Sequence, residues 1–239
     1  MKFYLYCFAE GLDRLNKPLR GVSGSRVQLM KIDDLVAVVS VSSGQGFRLQ
    51  KELLAHGEVV RNVFKQTTPI PLRFGQAVTE QYLRNYMSRH RQAIKANLAH
   101  LRGCAEMNVR MIGTRENAPP PMIDPEQPIG PGTRFLFEKL REFRGDEWRA
   151  AQKAELSEWF NGKLGKLTRD ERINVVPSRR LVIAQVGHLV ERANILEYRT
   201  RMAQAIEERP DTRFMVSGPW APYSFANIEL EFGSQFGVS

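Results

Sequence analysis

Hydrophobic residues in the first third of the chain follow strand spacing before they change to helical spacing. The segment "KFYLYCF" is apolar on both alternating faces, and "RVQLMKI" and "LVAVVSV" read as two strands joined at Asp33–Asp34. The segment "PIPLRFG", Pro69–Gly75, must be extended because Pro71 disfavours helix at Ile70, and its prolines favour a sheet edge. Between these strands, a helix is predicted from apolar positions at helical spacing: Leu49, Leu53, His56, Val60 and Val63.

The pattern restarts after a long predicted helix at about Thr79–Arg102. "EMNVRMI" alternates as a half-buried strand, and helical spacing then runs from about Thr133 to Leu167, with a break expected near Gly145. The strands "INVVP" and "RRLVIAQVGHLV", a helix from Ile195 and the strand "DTRFMVSG" complete the order. The second half therefore predicts a ferredoxin-like βαββαβ arrangement, and the first half predicts the same arrangement with its first helix reduced to a loop.

These patterns predict an α+β fold with two ferredoxin-like domains, residues 1–102 and 103–239, joined by the long helix. The second domain is expected to include "GPWAPYSF", Gly218–Phe225, which has two prolines, three aromatic residues and no charge. Because proline pushes the preceding residue out of the α region, Gly218 and Ala221 are expected to be extended. The segment that follows, "NIELEF", alternates apolar and polar residues and is predicted to be a final strand that could close either sheet.

Composition limits the environment of the protein. The chain has 239 residues, 42% hydrophobic and 26% charged, which is enough apolar material for globular cores. Its apolar runs are far shorter than the roughly 18 residues that a membrane helix needs, and no export signal is readable, so we expect no membrane association. Two cysteines, Cys7 and Cys104, are too few for a disulfide framework or a metal quartet, which favours a reducing cytoplasm.

The sequence contains no catalytic constellation that we can identify, so an enzyme, a cofactor and a bound metal are not expected. It has no phosphate-binding GxxxxGK[ST], GxSxG, HExxH or CxxC motif. His56 lies on the apolar stripe of its helix and is expected to be a hydrogen-bonded core or interface residue. The net charge of +9 permits RNA binding through a basic ferredoxin-like sheet, but no strand carries the usual stacking motif, so nucleic acid is an unlikely partner.

Several segments together resemble the gas-vesicle protein L/F family across nearly the whole chain. They include "YLYCF", "LLAHGEVVRNVF", "PIPLRFGQAV", "EMNVRM", "GTRFLFEKL", "LVERANILEYRTRM" and the closing "GPWAPYSF". The resemblance implies a cytoplasmic, vesicle-associated, non-enzymatic accessory protein that works with the hydrophobic shell protein and other accessory proteins. Where the family usually has proline, this chain has Ala221, so its closing segment should be less rigid.

A partner could be held through strand addition and an apolar surface. The candidate partner-binding or interdomain residues fall in the first helix, the proline-marked strand and the aromatic segment: His56, Pro71, Arg73, Phe74, Trp220, Tyr223 and Phe225. Two interpretations of the aromatic segment stay open. It is either a structural corner that pins the C-terminal strand or one wall of a partner groove, and both can hold together.

Overall fold

The structure is a computed structural model that describes residues 1–42, 49–114, 131–177 and 181–228. It is a mixed α+β fold with two antiparallel sheets, and the chain divides into two compact units. Unit 1 contains Met1–Glu106 together with the described residues from Pro219 onward, and unit 2 contains Met107–Gly218. This division differs from the predicted domains 1–102 and 103–239 chiefly because the aromatic segment lies with unit 1.

Unit 1 is built on a five-stranded sheet with the order β2-β3-β1-β4, in which β5 also pairs with β1. Its elements in chain order are β1 Lys2–Glu10, β2 Val27–Ile32, β3 Leu35–Val41, α1 Leu49–Phe64, β4 Ile70–Pro71, β5 Ala77–Thr79, α2 Glu80–Arg89 and α3 Arg91–Leu101. The predicted hairpin is present, because Ile32 pairs with Leu35 across the two aspartates, and Asp33 has a φ of 53° as tight hairpin turns require.

The central strand β1 is buried from Phe3 to Ala9, as its apolar character on both faces predicts. Its register against β3 shifts between Leu5 and Cys7, so Tyr6 occupies a bulge. The Tyr6 hydroxyl accepts a hydrogen bond from the Val22 N–H and bonds to the Ser40 hydroxyl, both at 2.8 Å. The bulge therefore places this phenol against the loop that the sequence predicted in place of a first helix.

Two predictions for unit 1 were wrong in detail. The helix expected at 79–102 is two helices, because the backbone leaves helical dihedrals at His90 (φ −101°, ψ 15°). The His90 N–H still bonds to the Tyr86 carbonyl at 2.9 Å, so the break leaves no mark in the hydrophobic pattern. The first sheet also has a fifth strand, β5, which has only three residues and is too short to give an alternating signal.

Unit 2 has the element order βαββαβ and a four-stranded sheet with the order β7-β8-β6-β9. Its elements are β6 Cys104–Thr114, α4 Pro131–Leu164, β7 Thr168–Pro177, β8 Leu181–Glu191, α5 Ile195–Glu207 and β9 Arg213–Trp220. The unit boundaries fall within β6 and within β9. The possible break near Gly145 is absent, because α4 continues through this glycine, which costs a helix only about 1 kcal/mol relative to alanine.

The core of unit 2 lies between its sheet and its two helices. Met107, Val109 and Met111 face this core from β6 at alternating positions, as predicted, and Phe160 meets them from α4. The predicted final strand at Asn227–Phe232 falls almost wholly outside the described residues. Among the residues described, no helix combines the length and apolar character needed to cross a membrane.

Candidate functional site

The segment "GPWAPYSF" forms a rigid corner. Gly218 has a φ of 124°, which a side chain would disfavour, and Pro222 (φ −79°, ψ 67°) sits at the centre of an inverse γ-turn. This turn is closed by the Tyr223 N–H, which donates to the Ala221 carbonyl at 2.8 Å. A 3-10 turn at Tyr223–Phe225 follows directly. The proline-rich composition therefore encodes a fixed change of chain direction.

Three contacts fasten this corner to unit 1. The buried carboxylate of Glu106 accepts from both the N–H of Ser224 (2.9 Å) and its hydroxyl (2.7 Å). The amide of Asn97 in α3 donates to the Phe225 carbonyl at 3.2 Å, and the Phe225 ring is fully buried. A buried carboxylate needs such donors, so Glu106 and the corner stabilise each other. Alternation along β6 had predicted that Glu106 would face solvent.

Two of the three aromatic residues of the corner are partly exposed, although burial raises the pKa of the Tyr223 phenol, so its hydroxyl end lies inside. Trp220 is 49% exposed and Tyr223 is 42% exposed, whereas Phe225 provides the buried anchor. In one of the two interpretations left open by the sequence, Trp220 and Phe225 pin the C-terminal strand onto the other domain. Trp220 retains further contacts, but its exposure is too large for a core residue. The corner is thus a structural element that also presents aromatic surface.

His56 lies at the centre of a second, buried cluster in unit 1. Its Nδ1 is 3.0 Å from the Tyr4 hydroxyl, and its Nε2 is 3.1 Å from the Leu72 carbonyl. Because the carbonyl can only accept, Nε2 carries the proton, and Nδ1 accepts from Tyr4. The Tyr4 hydroxyl in turn accepts from the Gly75 N–H at 3.0 Å. These hydrogen bonds join α1, β1 and the proline-marked segment.

This environment keeps His56 neutral. Burial lowers the pKa of His56 from 6.5 to about 4, and the hydrogen bond to Leu72 offsets only part of that effect. Burial also raises the pKa of the Tyr4 phenol, and the neighbouring phenols Tyr6 and Tyr223 raise it further. A neutral imidazole with both nitrogens bonded is suited to holding structure, as the sequence suggested for this residue.

The other candidate residues in the proline-marked segment are Pro71, Arg73 and Phe74, and they differ in how much of each is buried. Pro71 is buried in β4, where it pairs with Cys7 of β1, and β4 ends the strand order as predicted for an edge strand. Phe74 is half-buried, with its ring centroid 5.9 Å from that of His56 and 6.0 Å from that of Tyr4. Arg73 is exposed. Of these residues, Arg73 and Phe74 are the ones that reach the surface.

Unit 2 contains a histidine cluster that the sequence did not reveal. His188 in β8 lies 2.8 Å through Nδ1 from the Tyr198 hydroxyl and 3.1 Å through Nε2 from the Glu171 carboxylate. Burial tends to raise the pKa of Glu171, but hydrogen bonds from His188 and Ser157 outweigh it, and the pKa is lowered. The three residues belong to three elements, so no spacing in the sequence could have linked them. His188 and Tyr198 are fully buried, which leaves no access for a substrate.

A metal centre is not formed by the part of the chain that the structure describes, since no three His, Cys, Asp or Glu side chains are grouped there to hold an ion. The fold and the site thus define a mixed α+β protein of two antiparallel sheets that carries a preset aromatic corner.

Comparison with known proteins agrees with this fold. The crystal structure of gas vesicle protein GvpF from Anabaena sp. PCC7120 superposes with a TM-score of 0.72 at 17% identity, covering 96% of this chain and 97% of that one. The GvpF structure from Microcystis aeruginosa gives a TM-score of 0.68, also at 17% identity, with 95% and 99% covered. At such identities the likeness shows a shared fold.

Sequence relatives identify the family. The family described as "Gas vesicle synthesis protein GvpL/GvpF" matches residues 2–227. Gas vesicle protein F1 of Halobacterium salinarum is 24% identical, with 98% of this chain and 97% of the relative covered. Gas vesicle protein L of a Streptomyces species is 27% identical, with 95% and 94% covered. The chain belongs to the GvpL/GvpF family, as its sequence segments had indicated, and this membership supports a gas-vesicle-related role.

Proposed function

We propose that this chain is a non-enzymatic accessory protein of gas-vesicle assembly in the cytoplasm. In this proposal it binds the hydrophobic shell protein, or another accessory protein, while the vesicle forms. The observation that carries the proposal is the corner at Gly218–Phe225, which is fixed by a γ-turn and by Glu106 and Asn97 while Trp220 and part of Tyr223 stay exposed.

A preset aromatic corner suits the binding of an apolar partner. Tryptophan and tyrosine are the residues that most often dominate binding energy, and a rigid backbone reduces the entropy lost on association. A wall protein that faces gas has an apolar surface, so it needs protection from aggregation before assembly. Trp220 and Tyr223 would provide that contact, and the exposed Arg73 would meet acidic groups beside it.

The remaining candidate residues have supporting roles in this proposal. Phe225 anchors the corner, while His56 and Pro71 hold the proline-marked segment from inside, and Phe74 covers the His56 ring. These residues would affect binding through the shape of the surface. Their substitution should therefore change stability and partner capture together.

We also propose that the two units are related ferredoxin-like domains. The strand orders β2-β3-β1-β4 and β7-β8-β6-β9 support this proposal, because each unit places its first and third strands at the centre and its second and fourth at the ends. Unit 1 has a 3-10 turn at Val22–Gly24 in the connection where unit 2 has α4. A repeat of this kind would give two sheets whose edges can take different partners.

RNA binding through the first sheet receives no support from the position of its aromatic residues. Phe3, Tyr4, Tyr6 and Phe8 of β1 are all buried, so their rings are not available to stack on bases. We therefore expect any RNA binding to be weak and steeply salt-dependent. Tight, sequence-selective binding at about 150 mM salt would instead favour the RNA-binding alternative.

The proposal is tested by replacing the exposed tryptophan. Trp220→Ala should weaken capture of the shell protein or of its accessory partner by about 2 kcal/mol or more, as at a binding hot spot. It should cost only about 1 kcal/mol of folding stability, because half of the ring is already exposed. Affinity capture of purified partners and thermal melting of the same samples measure both quantities.

Leu196→Ala is the matched control, because Leu196 is an apolar residue in α5 that is 79% exposed. It should leave both melting and capture unchanged. If the Trp220 variant binds every vesicle protein as tightly as the parent chain does, the corner is structural only. A large fall in its melting temperature would likewise return Trp220 to the role of a core anchor.

A further inference from the structure

One buried side chain, His56, holds both ends of a short loop between β4 and β5, residues 72–75. Its Nε2–H donates to the Leu72 carbonyl at 3.1 Å, where the loop begins. Its Nδ1 accepts from the Tyr4 hydroxyl at 3.0 Å, and that hydroxyl accepts from the Gly75 N–H, also at 3.0 Å. A single imidazole therefore connects the first and the last positions of the 72–75 loop.

The chain on either side of this loop is held by the central strand β1. The Leu72 N–H donates to the Tyr6 carbonyl at 2.9 Å. The Gln76 carbonyl accepts from the Leu5 N–H, also at 2.9 Å. Proteins open locally at such loops while the sheet beside them stays intact. The bonds through His56 end on the loop, so they can break while the pairing with β1 is kept.

The loop carries two of the candidate partner-binding residues. Arg73 is exposed, and Phe74 is half-buried, with its ring centroid 5.9 Å from that of His56. Gly75 follows with a φ of 94°, a conformation that glycine adopts readily and other residues do not. Because both bonds of the imidazole lead to this loop, they determine where the Arg73 cation and the Phe74 ring lie.

The pattern of donors and acceptors requires a neutral imidazole. Protonation would place an N–H on Nδ1, which could then no longer accept from Tyr4. Two donors, this N–H and the N–H of Gly75, would point at the same phenol oxygen and compete for it. The bond to Leu72 would remain, because Nε2 donates in both states. A proton on His56 should therefore release the Gly75 end of the loop and keep the Leu72 end.

The charged and titratable groups near the imidazole come from four segments. From β1, the ring centroids of Tyr4 and Tyr6 lie 5.8 Å and 5.5 Å from that of the imidazole. From α1, the Glu52 carboxylate acts on both phenols, and it already accepts from a backbone N–H at 2.6 Å. The loop adds the positive charge of Arg73, and the corner adds the Tyr223 phenol, which acts on Tyr4. Burial lowers the pKa of the imidazole from 6.5 to about 4, so its protonation requires acid.

We propose that His56 is a pH-sensitive switch for the 72–75 loop, which is held in its binding shape by the neutral imidazole and released at its Gly75 end by a proton. The partner that fits this shape has a carboxylate for Arg73 beside an apolar residue for Phe74. Only this role in partner capture rests on the function proposed above, because the switch itself needs no partner. His56 is thus a positioning residue that acts through the loop backbone.

Amide hydrogen exchange of the ¹⁵N-labelled full chain, followed by NMR from pH 7 to pH 4, tests the switch. After correction for intrinsic exchange rates, protection of the Gly75 N–H should fall at least tenfold more than protection of the Leu72 N–H, which bonds to β1. Equal losses at the two amides would show that unit 1 opens as a whole, and would overturn the proposal. A Gly75 N–H that stays protected while the His56 ring titrates would overturn it as well.

Three variants assign the response to the imidazole. His56→Gln is the conservative change, because an amide can accept from Tyr4 and donate to Leu72 but does not titrate, so it should keep the Gly75 N–H protected at both pH values. His56→Leu removes both bonds and should leave that N–H equally unprotected at both. His90→Gln replaces an exposed histidine elsewhere in unit 1 and should retain the acid response of the parent chain. The parent chain and the glutamine variant decide the question even if the leucine variant does not fold, and a glutamine variant that responds to acid like the parent chain would assign the response to another group.

Capture of the purified shell protein at pH 7 separates the switch from the proposed function. His56→Leu should capture it at least tenfold less well than His56→Gln, because only the glutamine variant holds the Gly75 end of the loop. If the exchange results are as expected but the two variants capture equally well, the 72–75 loop is not part of the binding surface, and that half of the proposal is wrong. If the parent chain captures no shell protein at all, the proposed function fails, while hydrogen exchange still decides the switch.

Discussion

Each unit of this protein buries one histidine against a tyrosine hydroxyl, but the second partner of the histidine differs. In unit 1, His56 receives its Nδ1 bond from Tyr4 and donates through Nε2 to a backbone carbonyl. In unit 2, the Nδ1 of His188 bonds to Tyr198 and its Nε2 to the carboxylate of Glu171. The same side chain therefore occupies a neutral setting in one unit and a charged setting in the other.

The difference shows how the surroundings decide what a buried histidine can do. The Leu72 carbonyl carries no charge, so protonation of His56 would leave an uncompensated charge in the interior. A carboxylate can accept from a neutral imidazole and can also balance a protonated one. Burial thus favours the neutral form of His56 in unit 1, whereas in unit 2 the hydrogen-bonding partner is itself ionisable, and hydrogen bonds from His188 and Ser157 lower the pKa of Glu171.

The largest loss of folding stability is expected from Gly21→Ala, because the added methyl group would overlap the side chain of Tyr6 beside the His56 cluster of unit 1. A Cβ at Gly21 would lie 1.9 Å from the Tyr6 hydroxyl, which cannot retreat because it is buried and bonded to Ser40 and Val22. We expect a loss of about 3 kcal/mol of folding free energy, at the upper end for overpacked cores. Urea unfolding measured by circular dichroism gives this value.

Gly57→Ala in α1 is the control for that substitution. A Cβ at Gly57 meets nothing within 4 Å, and alanine is the better helix former by roughly 1 kcal/mol. Gly57→Ala should therefore stabilise the protein slightly. If Gly21→Ala were equally harmless, Tyr6 would have to be free to move, and the fixed position of its hydroxyl between Ser40 and Val22 would be wrong.

The second effect is the response to acid. The folded-state pKa of His56, about 4, lies below its unfolded value of 6.5, so the unfolded state binds more protons between these values. Stability should fall as the pH drops through this window, by about 2 kcal/mol between pH 7 and pH 5. The lowered pKa of Glu171 acts at more acidic pH, because its contribution is lost only below its unfolded value of 4.5.

Hydrogen exchange at several pH values can compare the units. Amides of unit 1 should lose protection between pH 7 and pH 5, and a His56→Gln variant should show little of this dependence. Amides around β7 and β8 should keep theirs until the pH is below about 4.5. If the parent chain and the glutamine variant weakened in parallel over the upper window, another group would be responsible.

The sequence predicted those parts of the molecule that depend on short-range patterns. Alternation and helical spacing located the hairpin at Asp33–Asp34, and the prolines predicted the corner at Gly218–Phe225. Contacts between segments that are far apart in the chain could not be predicted from these patterns. Glu106 alternates like a solvent-facing residue, and only its bonds to Ser224 explain its burial. Leu53 fits the apolar stripe of α1, yet it is exposed, because spacing does not show how wide the covered face of a helix is.

The smallest expected losses of stability come from removing the tyrosine hydroxyls that bond to the two buried histidines. Tyr198→Phe removes one hydrogen bond to a buried histidine nitrogen and should cost about 1 kcal/mol. Tyr4→Phe removes the bond to His56 and also the acceptor of the Gly75 N–H, so it should cost about 1 kcal/mol more. Because each phenylalanine retains the ring, packing changes little, and urea midpoints report the polar contribution. Equal losses would mean that water replaces Tyr4 as the partner of Gly75. A larger loss for Tyr198→Phe would show that the carboxylate-linked histidine of unit 2 depends more strongly on its tyrosine than the neutral histidine of unit 1 does.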